Sequence, residues 1–313
     1  MMKTCPHFNP KKKLGINVET ENGRPYFRPI VRNGSYRRKS DSRVVEKFFC
    51  RICELYFSSA THSKAYRQKK RRLNPMLRKL FASSVSQRRA AIILGINRKT
   101  VARKFRFLAA VGKEHHLKWV SKNVKSVKAI ELHFDDLETS EHSKYKPVSV
   151  TLVVEKKTRK IIDFELSRMP PKWILAQKAN QKYGARKDER PVGWRRLFRR
   201  LRENITSDAF FTSDQNPFYA SLVKKYFPNS THTQVHGRDA CVTGQGELKK
   251  IGYDPIFAIN HTCAMLRANM NRLARRTWCT TKNLKGLEDH LWIYVDFHNR
   301  ELTEEIQNAD GPA

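Results

Sequence analysis

The stretch Ala129-Ile130-Glu131-Leu132-His133-Phe134-Asp135-Asp136-Leu137-Glu138 decides how this chain is read. Ile130, Leu132 and Phe134 alternate with Ala129, Glu131 and His133, the period of two expected of a strand with one buried face. The strand then runs into two adjacent acids, Asp135 and Asp136, in a chain of 313 residues with formal net charge +34. Such a pair suits two readings. It can be ordinary surface charge, salt-bridged among many arginines. It can equally be a set of hard oxygen ligands, fixed at a strand end to hold a divalent cation.

Charge is unevenly spread. Residues 1–125 hold 32 Lys and Arg against 6 Asp and Glu, whereas the remainder holds 31 against 23. An N-terminal excess of this size points to a polyanionic partner, and nucleic acid is the leading one. A membrane-surface helix would need an apolar face opposite the charges, and none stands out; no run reaches spanning length. The start, M-M-K-T-C-P-H-F, lacks an apolar signal core, and six cysteines in a chain this long are no secreted disulfide framework. A cytoplasmic, nucleoid-associated protein with reduced thiols is expected.

Two small modules are expected ahead of the acidic strand. In residues 1–62, Cys50-Arg-Ile-Cys53 has the form of the second half of a zinc ribbon. The first half reads Cys5-Pro6-His7-Phe8, so Cys5, His7, Cys50 and Cys53 are the expected zinc ligands, with His62 an alternative to His7. Plain reduced cysteines in a degenerate ribbon are the competing reading. Residues 63–72 form a charged linker able to touch phosphates. In residues 73–112, Asn74, Ser86 and Asn97 each suit a helix N-cap, and Gly95 suits the turn before the third helix. On that third helix, expected to run to about Leu108, Val101, Phe105 and Leu108 share one face; Arg98, Lys99, Arg103 and Arg106 lie off it. This is a helix-turn-helix pattern with the third helix free to enter a major groove, though a basic helical hairpin fits as well.

Residues 126–305 read as an α/β domain. A hairpin is expected over Val148–Glu155 and Lys160–Leu166, ended by Pro170 and Pro171. Helical stretches follow over 172–204, with Trp173, Trp194, Leu197 and Leu201 as core candidates. A short strand, Ala209–Asp214, again ends in an acid; a helix opens at Pro217, and a strand is expected near 230–235. The Gly-x-Gly in V-T-G-Q-G-E-L suits a plain turn better than a phosphate loop. Long helices are expected over 257–276 and 287–300.

Three segments together resemble the transposases of small bacterial insertion sequences. Phe134-Asp135-Asp136 is similar to that family's first motif, and Ser213-Asp214-Gln215-Asn216-Pro217-Phe218-Tyr219 to its second. From Asn260 to Lys282 the chain resembles the third, with Arg267, Arg272, Leu273, Arg275, Arg276 and Lys282 in register. The resemblance covers nearly the whole chain. It implies a ribonuclease-H-like mixed sheet flanked by helices, and a catalytic set of Asp135, Asp214 and Asn260 holding two Mg²⁺ or Mn²⁺ ions. It also implies DNA contacts from Arg98, Lys99, Arg103, Arg106, Arg267, Arg275 and Lys282, and a homo-oligomer on double-stranded element ends. Most of the family has Glu where this chain has Asn260. An amide oxygen can bind a metal but brings no charge, so Glu247 and Asp254 stay open as third ligands. A non-catalytic remnant and a nuclease without strand transfer are the rival functions.

Overall fold

The computed structural model describes residues 5–6, 20–21, 24–25, 30–39, 41–236, 254–274 and 280–302. His7, the glycine loop with Glu247, and Arg275 and Arg276 lie outside them. The chain forms two compact units, Met1–Pro75 and Met76–Ala313.

The first unit is built on antiparallel pairing. Short strands β1 (Thr20–Glu21) and β2 (Arg24–Pro25) pair with each other, and a separate sheet runs β3 (Ile30–Arg37), β4 (Val44–Cys50), β5 (Leu55–Ser58). Phe48 and Phe57 face each other across β4 and β5 with ring centroids 5.4 Å apart, and Cys50 is buried beside them.

Three helices come next: α1 (Asn74–Phe81), α2 (Gln87–Ile93) and α3 (Arg98–Asn123). Two of the three expected caps form, since Ser86 accepts from the Arg89 N–H and Asn97 from the Lys99 N–H; Asn74 instead has helical backbone as the first residue of α1. α3 is far longer than the expected third helix. It continues because Leu108, Ala109, Gly112, His116 and Val120 keep one face buried, and α3 packs along α8 (Leu284–Phe297). The approach is close: a Cβ on Gly112 would stand 2.6 Å from the Trp292 carbonyl oxygen. α1 is tied to α8 as well, through Arg78 to Asp296 at 3.0 Å and His290 to the Phe81 carbonyl at 2.8 Å.

The second unit is centred on a mixed five-stranded sheet in the order β10 (Thr231–Gln234), β9 (Phe210–Ser213), β6 (Glu131–Ser140), β7 (Pro147–Glu155), β8 (Ile161–Arg168). β6, β7 and β8 form an antiparallel meander, while β9 and β10 join β6 in parallel. Helices cover both faces. On β8, Asp163 and Glu165 reach Arg200 of α5 (Arg190–Asn204), and Phe164 between them meets Trp292 of α8. Neighbouring strand residues point to opposite faces, so α5 and α8 lie on opposite sides. α6 (Pro217–Tyr226) packs beside α5; α7 (Phe257–Asn269) packs on β6 and β7. Among the described residues no helix is long and apolar enough to cross a membrane.

Four expectations need correction. β6 has two buried faces rather than one, with His133 only 2% exposed, because it is a central strand with helices above and below. α7 stops at Asn269, where Met270 turns to extended backbone, short of the expected end at 276. Trp173, expected in the core, is 89% exposed at the start of the small helix α4 (Ile174–Tyr183). The last helix begins at Leu284, earlier than expected, and closes in a π turn over His298–Leu302.

Candidate active site

Strand parity separates the two adjacent acids. Phe134 and Asp136 face α5 and α6, where Phe134 touches the rings of Trp194, Phe198 and Tyr219. Asp136 therefore enters an apolar layer, where a carboxylate needs partners. It has four. The Ser149 and Thr151 hydroxyls donate to Oδ1 at 2.5 and 2.9 Å, and Trp194 Nε1 and the Tyr219 hydroxyl donate to Oδ2 at 3.1 and 3.2 Å. With its acceptor sites filled, Asp136 is a structural carboxylate.

Asp135 points the other way, toward α7. Burial pushes its carboxyl up to about 7, and the charges of Asp214, Asp136 and Glu138 add to that; the Asp136 N–H, donating to Oδ1 at 2.7 Å, works against it. Asp214 arrives by register. β6 and β9 pair in parallel with Glu131 opposite Phe210 and His133 opposite Thr212. Two residues further along, that same offset sets Asp214 beside Asp135.

The residues after Asp214 fix its position. Its Oδ1 accepts from the Asn216 N–H at 3.1 Å, and Asn216 in turn caps α6 by accepting from the Phe218 N–H, with Pro217 first in the helix. Gln234 of β10 donates to the carbonyls of Asp214 and Asn216 at 3.1 and 2.9 Å. Tyr219 then reaches back to Asp136, so the second acidic segment is bonded to the first.

Asn260 sits on the exposed side of α7, and its amide Nδ2 donates to Asp254 at 2.9 Å. One turn on, Cys263 is buried and its thiol is pushed up to about 12, by burial first and then by Asp135. α7 thus lies over the Asp135 face. The structure brings Asp135 and Asp214 together and pairs Asn260 with Asp254. His133, beneath α7, has neither ring nitrogen hydrogen-bonded; burial lowers its pKa to about 4. His261 packs on Phe257.

No protein-family model matches this chain, and no curated protein matches it either.

Arg98, Lys99, Arg103 and Arg106 are all exposed on the first half of α3, and Lys282 is exposed before α8; Arg267 is half-buried on α7. Arg272 is largely withdrawn from solvent and donates to the Thr281 hydroxyl at 3.1 Å.

In the first unit, the Sγ atoms of Cys5, Cys50 and Cys53 lie within 4.8 Å of one another, a group able to hold a metal ion. Cys50 ends β4, and Cys53 sits in the tight turn before β5. Against the effect of burial, the N–H groups of Cys53 and Ile52 and the two other thiols hold the Cys50 thiol below its ordinary value; burial and the Cys50 and Cys5 thiols push Cys53 up to about 11. His62 instead packs edge-on against Phe57.

The Asp136 network and the Asp254 partner of Asn260 were not foreseen from sequence. Parity could have found the first: once Phe134 faces the core, Asp136 must too, and a buried acid demands donors.

Proposed function

We propose that this chain is a DNA transposase with a ribonuclease-H-like catalytic domain. In this reading Asp135, Asp214 and Asn260 form the catalytic set, and the exposed bases of α3 help to bind element ends. The observation that carries the reading is the meeting of Asp135, in the middle of β6, with Asp214, directly after the adjacent parallel strand β9, with a carboxyl on Asp135 that resists ionisation. Two neighbouring carboxylates in a desolvated place repel unless a cation lies with them, and that donor set fits Mg²⁺ or Mn²⁺. The ions would be held by Asp135 and Asp214 with the Asn260 amide oxygen as a neutral donor, supplying Lewis-acid stabilisation of the attacking and leaving oxygens.

The chain's own residues have separate tasks in this scheme. Asp136, held by Trp194 and Tyr219, fixes the middle of β6; Gln234 and Asn216 fix Asp214. Arg98, Lys99, Arg103 and Arg106 neutralise or read DNA, and copies of the chain come together on paired ends. The test is a strand-transfer assay on a fragment bearing the element's flanking repeats, with Mg²⁺ or Mn²⁺. Joined products are expected. Cleavage without joining would favour a nuclease, and silence with both metals a remnant.

Two further results are expected. Replacing Arg98 or Arg103 by Ala should cost about 1–3 kcal/mol of end binding if that side chain reads a base, and relax specificity at one position. Gel-shift titrations against matched and mutated ends measure this. The log of the binding constant should also fall by about 0.9 per phosphate neutralised for each log unit of salt.

We also assign zinc to Cys5, Cys50 and Cys53 in a zinc-ribbon-like first unit. Purified protein should carry close to one zinc per chain, and Cys50→Ser should release it and make residues 1–62 protease-sensitive. Metal analysis that finds no zinc in protein with an intact first unit would leave these as plain thiols.

A further inference from the structure

α4 is an odd helix for a compact unit. Ala179 is its only buried residue, and it carries Lys178 and Lys182 with no acid. Its N-terminal end presents Trp173 at 89% and Ile174 at 80% exposure, followed by Leu175. Trp173 has φ 61° and ψ −142°, a backbone state that bulky residues rarely adopt and that glycine takes freely. A turn with no further task would be served by glycine there. A strained, solvent-facing tryptophan is instead a side chain being presented.

Its surroundings indicate what it meets. An open groove of about 500 Å³ lies at this place, with Met169 and Pro171 on its apolar side and Lys144 and Lys172 among its cations. Among the described residues Glu138 is the one acid lining it, and Lys172 already pairs with that carboxylate at 2.7 Å. The Lys172–Glu138 pair also anchors the segment to β6 three residues beyond Asp135. An aromatic face among lysines beside the acidic strand end matches the chemistry of an unpaired nucleotide: base on ring, phosphate on ammonium. A second copy of this chain, itself strongly basic, would bring like charge to these lysines.

We infer that Trp173 is a stacking platform for an unpaired DNA base, and that Lys144 and Lys172 hold the adjoining phosphates of the strand led to Asp135. This deepens the proposed function, and it rests on DNA being the substrate.

The test uses the full chain without divalent metal, so it is independent of cleavage. A single-stranded oligonucleotide carrying 2-aminopurine is titrated against wild type, Trp173→Phe, Trp173→Ala and Trp173→Gly, with an unmodified duplex in parallel. Wild type and Trp173→Phe should bind the single strand and alter the 2-aminopurine emission. Trp173→Ala and Trp173→Gly should bind it at least about fivefold more weakly and lose the emission change, with duplex binding unchanged. Trp173→Gly should also melt no lower than wild type, because glycine relieves the left-handed backbone; that separates lost stacking from lost folding. Equal single-strand binding by all four proteins would overturn the inference. So would a fall in oligomeric state by sedimentation in Trp173→Ala with single-strand binding intact, which would make the patch a self-association surface. If stacking holds while the strand-transfer assay is silent, the catalytic reading fails and this one stands.

Discussion

Asp135→Asn is expected to lower DNA cleavage and joining by on the order of 10³-fold and, in the same molecule, to make the metal-free protein more stable at pH 8. Burial and the neighbouring acids raise the Asp135 carboxyl from 3.8 to about 7. The folded chain therefore holds a proton that the unfolded chain releases. Below about pH 4 both states are protonated and nothing is lost. As pH rises from there toward 7 the folded state is progressively penalised, and above 7 the full cost, on the order of 4 kcal/mol, is in place. Asparagine removes the charge and so the penalty. Melting curves should coincide near pH 4 and diverge with rising pH, the variant ahead by several degrees at pH 8. Added Mg²⁺ should raise the melting temperature of wild type and leave Asp135→Asn nearly unmoved. Asp214→Asn should show the same loss of activity with a smaller gain in stability, since Asp214 contributes only part of the pressure on Asp135. A variant that melts below wild type at pH 8 would mean that Asp135 is no penalised carboxylate.

What could be read from the sequence was the local chemistry. Ser86, Asn97 and Asn216 cap their helices within three residues of themselves, and a strand does run through Phe134, though both its faces are buried. The meeting of Asp135 and Asp214 was legible only by resemblance, because 79 residues and a parallel pairing separate them. Other features depended on distant partners. α3 outruns its expected end because α8, far along the chain, covers its second half. Trp173 looked like core because a large apolar ring usually is, and nothing nearby in sequence shows that no element packs on it. Asn260 was read as a lone departure, and its bond to Asp254 depends on how the chain enters α7.

The neighbouring acid should behave in the opposite way. Asp136→Ala is expected to destabilise the protein by on the order of 3–5 kcal/mol, since it strands donors from Ser149, Thr151, Trp194 and Tyr219 in a buried layer. The four are not alike. Indole N–H can only donate, whereas hydroxyls can turn and accept. Asp136→Asn can therefore set its carbonyl toward Trp194 and Tyr219 and its amide toward Ser149 and Thr151, keeping most of the network. Its cost should be about 1–2 kcal/mol, and it should still cleave DNA, which Asp135→Asn should not. Urea denaturation orders the variants: Asp135→Asn above wild type at pH 8, Asp136→Asn slightly below, Asp136→Ala far below. If Asp136→Ala proved as stable as Asp136→Asn, the hydrogen bonds would not be what fixes this part of β6. The register that brings Asp135 to Asp214 would then have to come from the packing of Phe134 alone.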